Sequence, residues 1–153
     1  MARYQVVQEI SNLLILERRP DAPLPAERAL GNMTSRIGDW IAVPPHGSQR
    51  LYGRVKIDYS LLGQFLTLLN RPPELHLVFQ YAGGQISPPY RFIPANAQDG
   101  LDLSGYAPNT AGVGHLGAGQ FDQPIEAILI EADSPASAYV QDVQVTYFTQ
   151  PVT

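Results

Sequence analysis

The sequence predicts an all-β protein, an antiparallel β-sandwich with an N-terminal helix and one short inserted helix. Three observations carry that expectation. From residue 36 onward the apolar positions recur with a period of two, the spacing of half-buried strands. The 153 residues include 13 glycines and 14 prolines, so turns are frequent and long helices few. Apolar residues make up 44% and charged residues 16%, below the usual ~25% charged, which excludes a disordered chain and leaves enough apolar surface for one domain's core. The predicted organisation is an N-terminal helix and extended lead-in over 1–35, then a sandwich domain over 36–153.

Taken in order, Val6, Val7, Ile10, Leu13, Leu14 and Leu16 are spaced by threes and fours, which fits one face of a helix. Arg18 and Arg19 then fall in its last turn, where cations favour the helix dipole, although the β-branched residues leave a strand open. Pro20, Pro23 and Pro25 stop the run and keep the next stretch extended. Ile37 to Val43 reads as a strand closed by Pro44-Pro45 and Gly47. Leu51, Val55, Ile57 and Tyr59 alternate with Arg54, Lys56 and Asp58, a half-buried strand. Ser60 is placed to cap a short helix over Leu61 to Asn70, with Leu61, Leu62, Phe65, Leu66 and Leu69 as its apolar face and Pro72-Pro73 beyond its end.

Leu75, Leu77, Phe79 and Tyr81 resume the alternation, Ala82-Gly83-Gly84 turns the chain, and Tyr90 to Ile93 is the return strand. Residues 94–124 are rich in Asn, Asp, Gly and Pro, with short strands near Gly100–Leu103 and Gly112–Leu116. Ile125 to Glu131 is apolar on both faces at its centre, the pattern of a central strand. Ser134-Pro135 turns the chain into a last strand, with Tyr139, Gln141, Val143, Val145 and Tyr147 on one face.

Composition narrows the function. Cysteine is absent, which excludes disulfides, thiolate metal sites and cysteine nucleophiles. A net charge of −4 argues against nucleic acid as a partner. No apolar run reaches the length of a membrane span, and the start lacks the basic and apolar regions of a signal peptide. The chain is therefore expected to be cytoplasmic or a piece of a larger protein. Lys56 is the only lysine among the ten basic residues.

No Gly-x-Ser-x-Gly elbow and no His-Glu-x-x-His signature is present. His46, Ser48 and Asp39 make a triad on paper only. Glu126, Glu131, Asp133 and Asp142 are the candidates for a glycosidase carboxylate pair. Asp99, Asp102, Asp122 and Asp142 are candidates for a hard cation, which takes oxygen ligands, but no EF-hand spacing occurs. Aromatic platforms fit a sugar, because a pyranose ring has an apolar face that stacks on them. Trp40, the sole tryptophan, is one candidate; Tyr52, Tyr90 and Tyr106 are others, and Arg91 projects from between Tyr90 and Phe92. A core role for Trp40 and a surface ion pair for Arg91 are the competing readings. Asn32-Met33-Thr34 matches a glycosylation acceptor, which matters only in a eukaryotic secretory setting.

Two segments carry a resemblance. Ile125-Glu126-Ala127-Ile128-Leu129-Ile130 followed by Ala138-Tyr139-Val140-Gln141-Asp142-Val143-Gln144-Val145 resembles the closing strands of galactose-binding-like jelly rolls. The segment Tyr90 to Ser104 is similar to one in extracytoplasmic soluble domains of bacterial polytopic membrane proteins, glycosyltransferase-like ones included. The resemblance implies a sandwich of jelly-roll type and a structural calcium, which would carry over to Asp142. The family's second carboxylate, near the chain start, has no counterpart.

The function expected is that of a non-catalytic accessory domain on the periplasmic or extracytoplasmic face of a bacterial membrane. It would bind glycan or position a membrane-embedded protein partner. Its ligand-binding residues would be Trp40, Tyr90, Arg91 and Tyr106. No catalytic residue, no cofactor beyond that calcium and no nucleic acid are expected; a homo-oligomer remains open. The alternatives are a small carbohydrate-active enzyme and a self-assembling structural subunit.

Overall fold

The computed structural model describes residues 4–10, 13–18, 26–69, 74–106, 120–121, 123–132 and 140–152. Ten strands and two short helices occur among them. They are β1 (Tyr4–Ile10), β2 (Leu13–Arg18), β3 (Arg28–Ser35), β4 (Trp40–Ala42), β5 (Arg50–Tyr59), α1 (Leu61–Leu68), β6 (Leu75–Tyr81), β7 (Tyr90–Phe92), α2 (Pro94–Gln98), β8 (Leu101–Asp102), β9 (Ile125–Ala132) and β10 (Val140–Gln150). Two four-stranded antiparallel sheets are ordered β3-β10-β5-β8 and β4-β9-β6-β7, and β1 and β2 form a separate hairpin. The protein is thus all-β with a sandwich-like core.

Alternation decides which side chains meet. In β5 Leu51, Val55 and Ile57 point inward, and in β10 Val143, Val145 and Tyr147 do the same; all six are buried. From the other sheet Ile41, Leu75, Leu77, Ile128 and Ile130 join them in one cluster. The predicted central strand is central: β9 lies between β4 and β6, and Ile128, Leu129 and Ile130 are all buried. Gly53 interrupts the inward row of β5 for a reason of space. A Cβ there would lie 2.7 Å from Leu103 Cδ1 and 3.3 Å from Val145 Cγ1.

A partly buried hydrogen bond ties the sheets together: Tyr147 Oη donates to the carbonyl of Ala42 at 2.9 Å. Burial pushes this phenol up to about 12. At the edge of the first sheet, Arg50 pairs with Asp102 at 2.5 Å. Asp102 also accepts from the Ser104 amide at 3.0 Å, and Ser104 Oγ accepts from the Leu51 amide at 2.8 Å. That cluster fastens the two-residue strand β8 to β5.

The N-terminal helix expected within 1–35 does not occur among the described residues. Its residues are the β1–β2 hairpin, which pairs Ile10 with Leu13 and Val6 with Leu16. Spacings of three and four in a short apolar segment also satisfy two antiparallel strands, because the register sets apolar residues opposite one another. The β-branched residues at Val6, Val7, Ile10 and Ile15 favour that outcome. The lead-in also contributes β3, an edge strand hydrogen-bonded to β10.

The inserted helix forms as α1. Ser60 caps it, its Oγ accepting from the Gly63 amide at 3.1 Å. Gly63 is buried, while Leu61, Leu62, Phe65, Leu68 and Leu69 are all exposed. Among the side chains described, the helix thus turns these five apolar residues outward. The strand expected near Gly112–Leu116 lies outside the described residues.

Candidate functional site

Strand β6 presents Leu75, Leu77, Phe79 and Tyr81 on its inner face. Towards its end that face carries rings instead of leucines, and the neighbouring edge strand β7 adds Tyr90 opposite Leu77. Four rings result in a continuous row. Tyr90 lies 5.9 Å from Phe79, Phe79 lies 6.4 Å from Tyr81 in a stacked geometry, and Tyr81 lies 5.2 Å from Tyr106. These separations fall within or near the ~4.5–7 Å at which rings attract one another. Tyr81, in the interior of the row, is 4% exposed, whereas the terminal Tyr90 and Tyr106 are 41% and 37% exposed. Burial raises the Tyr81 phenol most; the neighbouring Tyr90 and Tyr106 add to this and a hydrogen bond with Ser87 opposes it.

A groove of about 270 Å³ opens beside the Tyr90 end. One wall is Leu77, Phe79, Tyr90 and Phe92; the other is Asn96, Ala97 and Gly100 with Leu101 of β8. Pro94 starts α2 with its φ already set and no amide to leave unpaired, so the chain turns sharply after β7 and forms this second wall. Asn96 is exposed and supplies an amide that both donates and accepts. Arg91 also borders the groove; its guanidinium lies 3.8 Å from Glu74 at the surface.

Of the four predicted ligand residues, Tyr90 and Arg91 border the groove and Tyr106 ends the same row. Trp40 stands apart. It is 43% exposed on the outer face of the second sheet, paired in register with Leu129 and separated from β7 by β9 and β6. Asp142 lies on the first sheet, in register with Asp58 across a bulge. Asp58 itself accepts from Gln144 Nε2 at 2.7 Å and pairs with Lys56 at 2.8 Å. Among the described residues no three His, Asp or Glu side chains are grouped to hold a metal ion.

The paper triad is not assembled, since Asp39 and His46 flank opposite ends of β4. Glu126 and Glu131 are five residues apart on β9, roughly 17 Å at strand rise, beyond the ~5–10 Å of a glycosidase pair. Asp122 and Asp133 lie outside the described residues.

A second concavity, of about 710 Å³, lies where the chain leaves β4 through Pro44, Pro45 and His46. Phe121, Pro124 and Glu126 close it from the other side. His46 meets Phe121 edge to face, with centroids 5.2 Å apart, and its Nε2 lies 3.1 Å from the Ser104 carbonyl. Phe121 carried no signal in the sequence, being one ring in a stretch rich in Gly, Asn and Pro. Comparison with known proteins adds no relative: no family model, no curated protein and no solved structure matches the chain.

Proposed function

We propose that this chain is a non-catalytic carbohydrate-binding accessory domain of jelly-roll type, carried on the extracytoplasmic face of a bacterial envelope protein. The observation that carries the binding role is the row of four rings ending in exposed Tyr90 beside a groove with one amide side chain. Sugar sites need little more than a flat apolar platform and a few polar groups to fix orientation. Strand order supports the jelly-roll type. β3 pairs with β10, β4 with β9, β5 with β8 and β6 with β7, as in one long hairpin rolled into two sheets. The envelope location rests on the resemblance of the Tyr90–Ser104 segment.

The test is a titration of bacterial envelope glycans followed by amide NMR. Binding is expected to move the signals of Tyr90, Asn96 and Gly100. Tyr90→Ala is expected to weaken it about fivefold, since one stacked ring contributes about 1 kcal/mol. Absence of binding to every glycan, or full binding by Tyr90→Ala, defeats the proposal.

A second role, positioning a membrane-embedded partner, is favoured by the outward apolar face of α1, where Leu61 and Leu68 are 86% and 83% exposed. Its test is assembly with the polytopic segment of the same reading frame. Leu61→Lys with Leu68→Lys is expected to abolish that assembly; undiminished assembly rejects the role.

A further inference from the structure

We propose that the cleft beside His46 is a separate binding site for a small molecule carrying a primary ammonium group on an apolar ring or chain, the chemistry shared by an aminosugar and an alkylamine. Its volume of about 710 Å³ falls in the ~300–1,000 Å³ range of small-molecule sites. Pro44, Pro45, Pro124 and the Phe121 ring give it apolar walls. Among the described residues its charge is one-sided: Glu126 is the single formal charge of the lining, and no lysine or arginine contributes. Glu126 is exposed; its carbonyl accepts from the Val43 amide at 2.8 Å, while its carboxylate has no ion-pair or hydrogen-bond partner among the described residues.

The histidine adds a second acceptor, and its tautomer follows from its partner. A carbonyl oxygen only accepts, so Nε2, 3.1 Å from the Ser104 carbonyl, carries the hydrogen. In the neutral ring Nδ1 is then the acceptor. The ring is held from two sides, by that bond and by the edge of Phe121. Ser104 is itself fully buried and fixed to Asp102 and Leu51. Such anchoring lowers the ordering cost of binding. With the Ser48 hydroxyl, the polar groups of the lining are a carboxylate, a ring nitrogen and a hydroxyl, all able to accept. A ligand that suits them donates several hydrogen bonds, bears positive charge and has an apolar flank. An anion is repelled.

The experiment titrates the whole chain with glucosamine, cyclohexylammonium and neutral glucose, read by amide NMR. Amine binding is expected to move the signals of Gly47, Ser48 and Glu126, with glucose leaving them in place. Glu126→Gln is expected to weaken amine binding about tenfold, as loss of a charge-assisted contact does. Phe121→Ala is expected to weaken it as well, and an unchanged melting temperature shows that each variant is folded. Binding of glucosamine alone assigns the sugar amine; binding of both amines assigns the ammonium and apolar flank in general. The proposal fails if glucose moves the same signals as strongly, if no amine moves them, or if Glu126→Gln binds as the wild type does. Glycan binding at the Tyr90 groove is read separately through Asn96 and Gly100, so either site can fail without the other.

Discussion

Tyr147 offers a stability test whose size and sign both come from the structure. Its side chain is 2% exposed and its hydroxyl donates across the sandwich to the Ala42 carbonyl. Burial raises its pKa from the ordinary 10.0 to about 12. The folded state therefore holds a proton that the unfolded state releases between about pH 10 and pH 12, and stability falls as pH rises through that window. Two units correspond to about 2.7 kcal/mol at most. Tyr147→Phe removes both the bond and the titration. At pH 7 the variant is expected to be less stable by about 1 kcal/mol, the net worth of one intramolecular hydrogen bond. Above about pH 11 the order should reverse, because only the wild type pays for ionising this phenol. Urea unfolding of both proteins across the alkaline range measures this. Tyr52, Tyr59 and Tyr81 are also raised, chiefly by burial, but they are common to both proteins and cancel. Stability curves that stay parallel from pH 7 to the alkaline limit would refute the reasoning.

Three further predictions concern stability. Gly53→Ala is expected to cost about 1–3 kcal/mol in urea unfolding, because the added Cβ meets Leu103 in a filled core. Asp102→Asn is expected to cost about 1.5–3 kcal/mol, since the Arg50 side chain is 12% exposed and would lose its countercharge while Asp102 is 33% exposed; Arg50→Met combined with Asp102→Asn should recover part of that loss. Leu61→Lys and Leu68→Lys are each expected to change the melting free energy of the isolated chain by less than about 0.5 kcal/mol, because both side chains already lie in solvent.

The candidate site was only partly legible. Tyr90 and Tyr106 were recognisable as ring platforms, but nothing local joins them. Phe79 and Tyr81 complete the row between them, and those residues read as ordinary inward positions of a strand. Trp40 drew attention as the lone tryptophan, and the fold sets it on the far face of the sheet. Phe121 and Glu126 come together with His46 across some 75 residues of chain, a distance at which pattern conveys nothing.

Local alternation by itself determined most of the strands and the central place of Ile125 to Ala132, because a side chain's face in a strand depends only on its parity along the chain, and the N-cap preference of serine determined the cap at Ser60. It also determined that the protein would be mainly sheet. Tertiary structure alone decided whether Tyr4 to Arg18 became a helix or a hairpin, which way α1 turned its leucines, and which rings became neighbours. Parity says which face a residue occupies, but the partner strand and its register are chosen by non-local packing, and both clefts are made there.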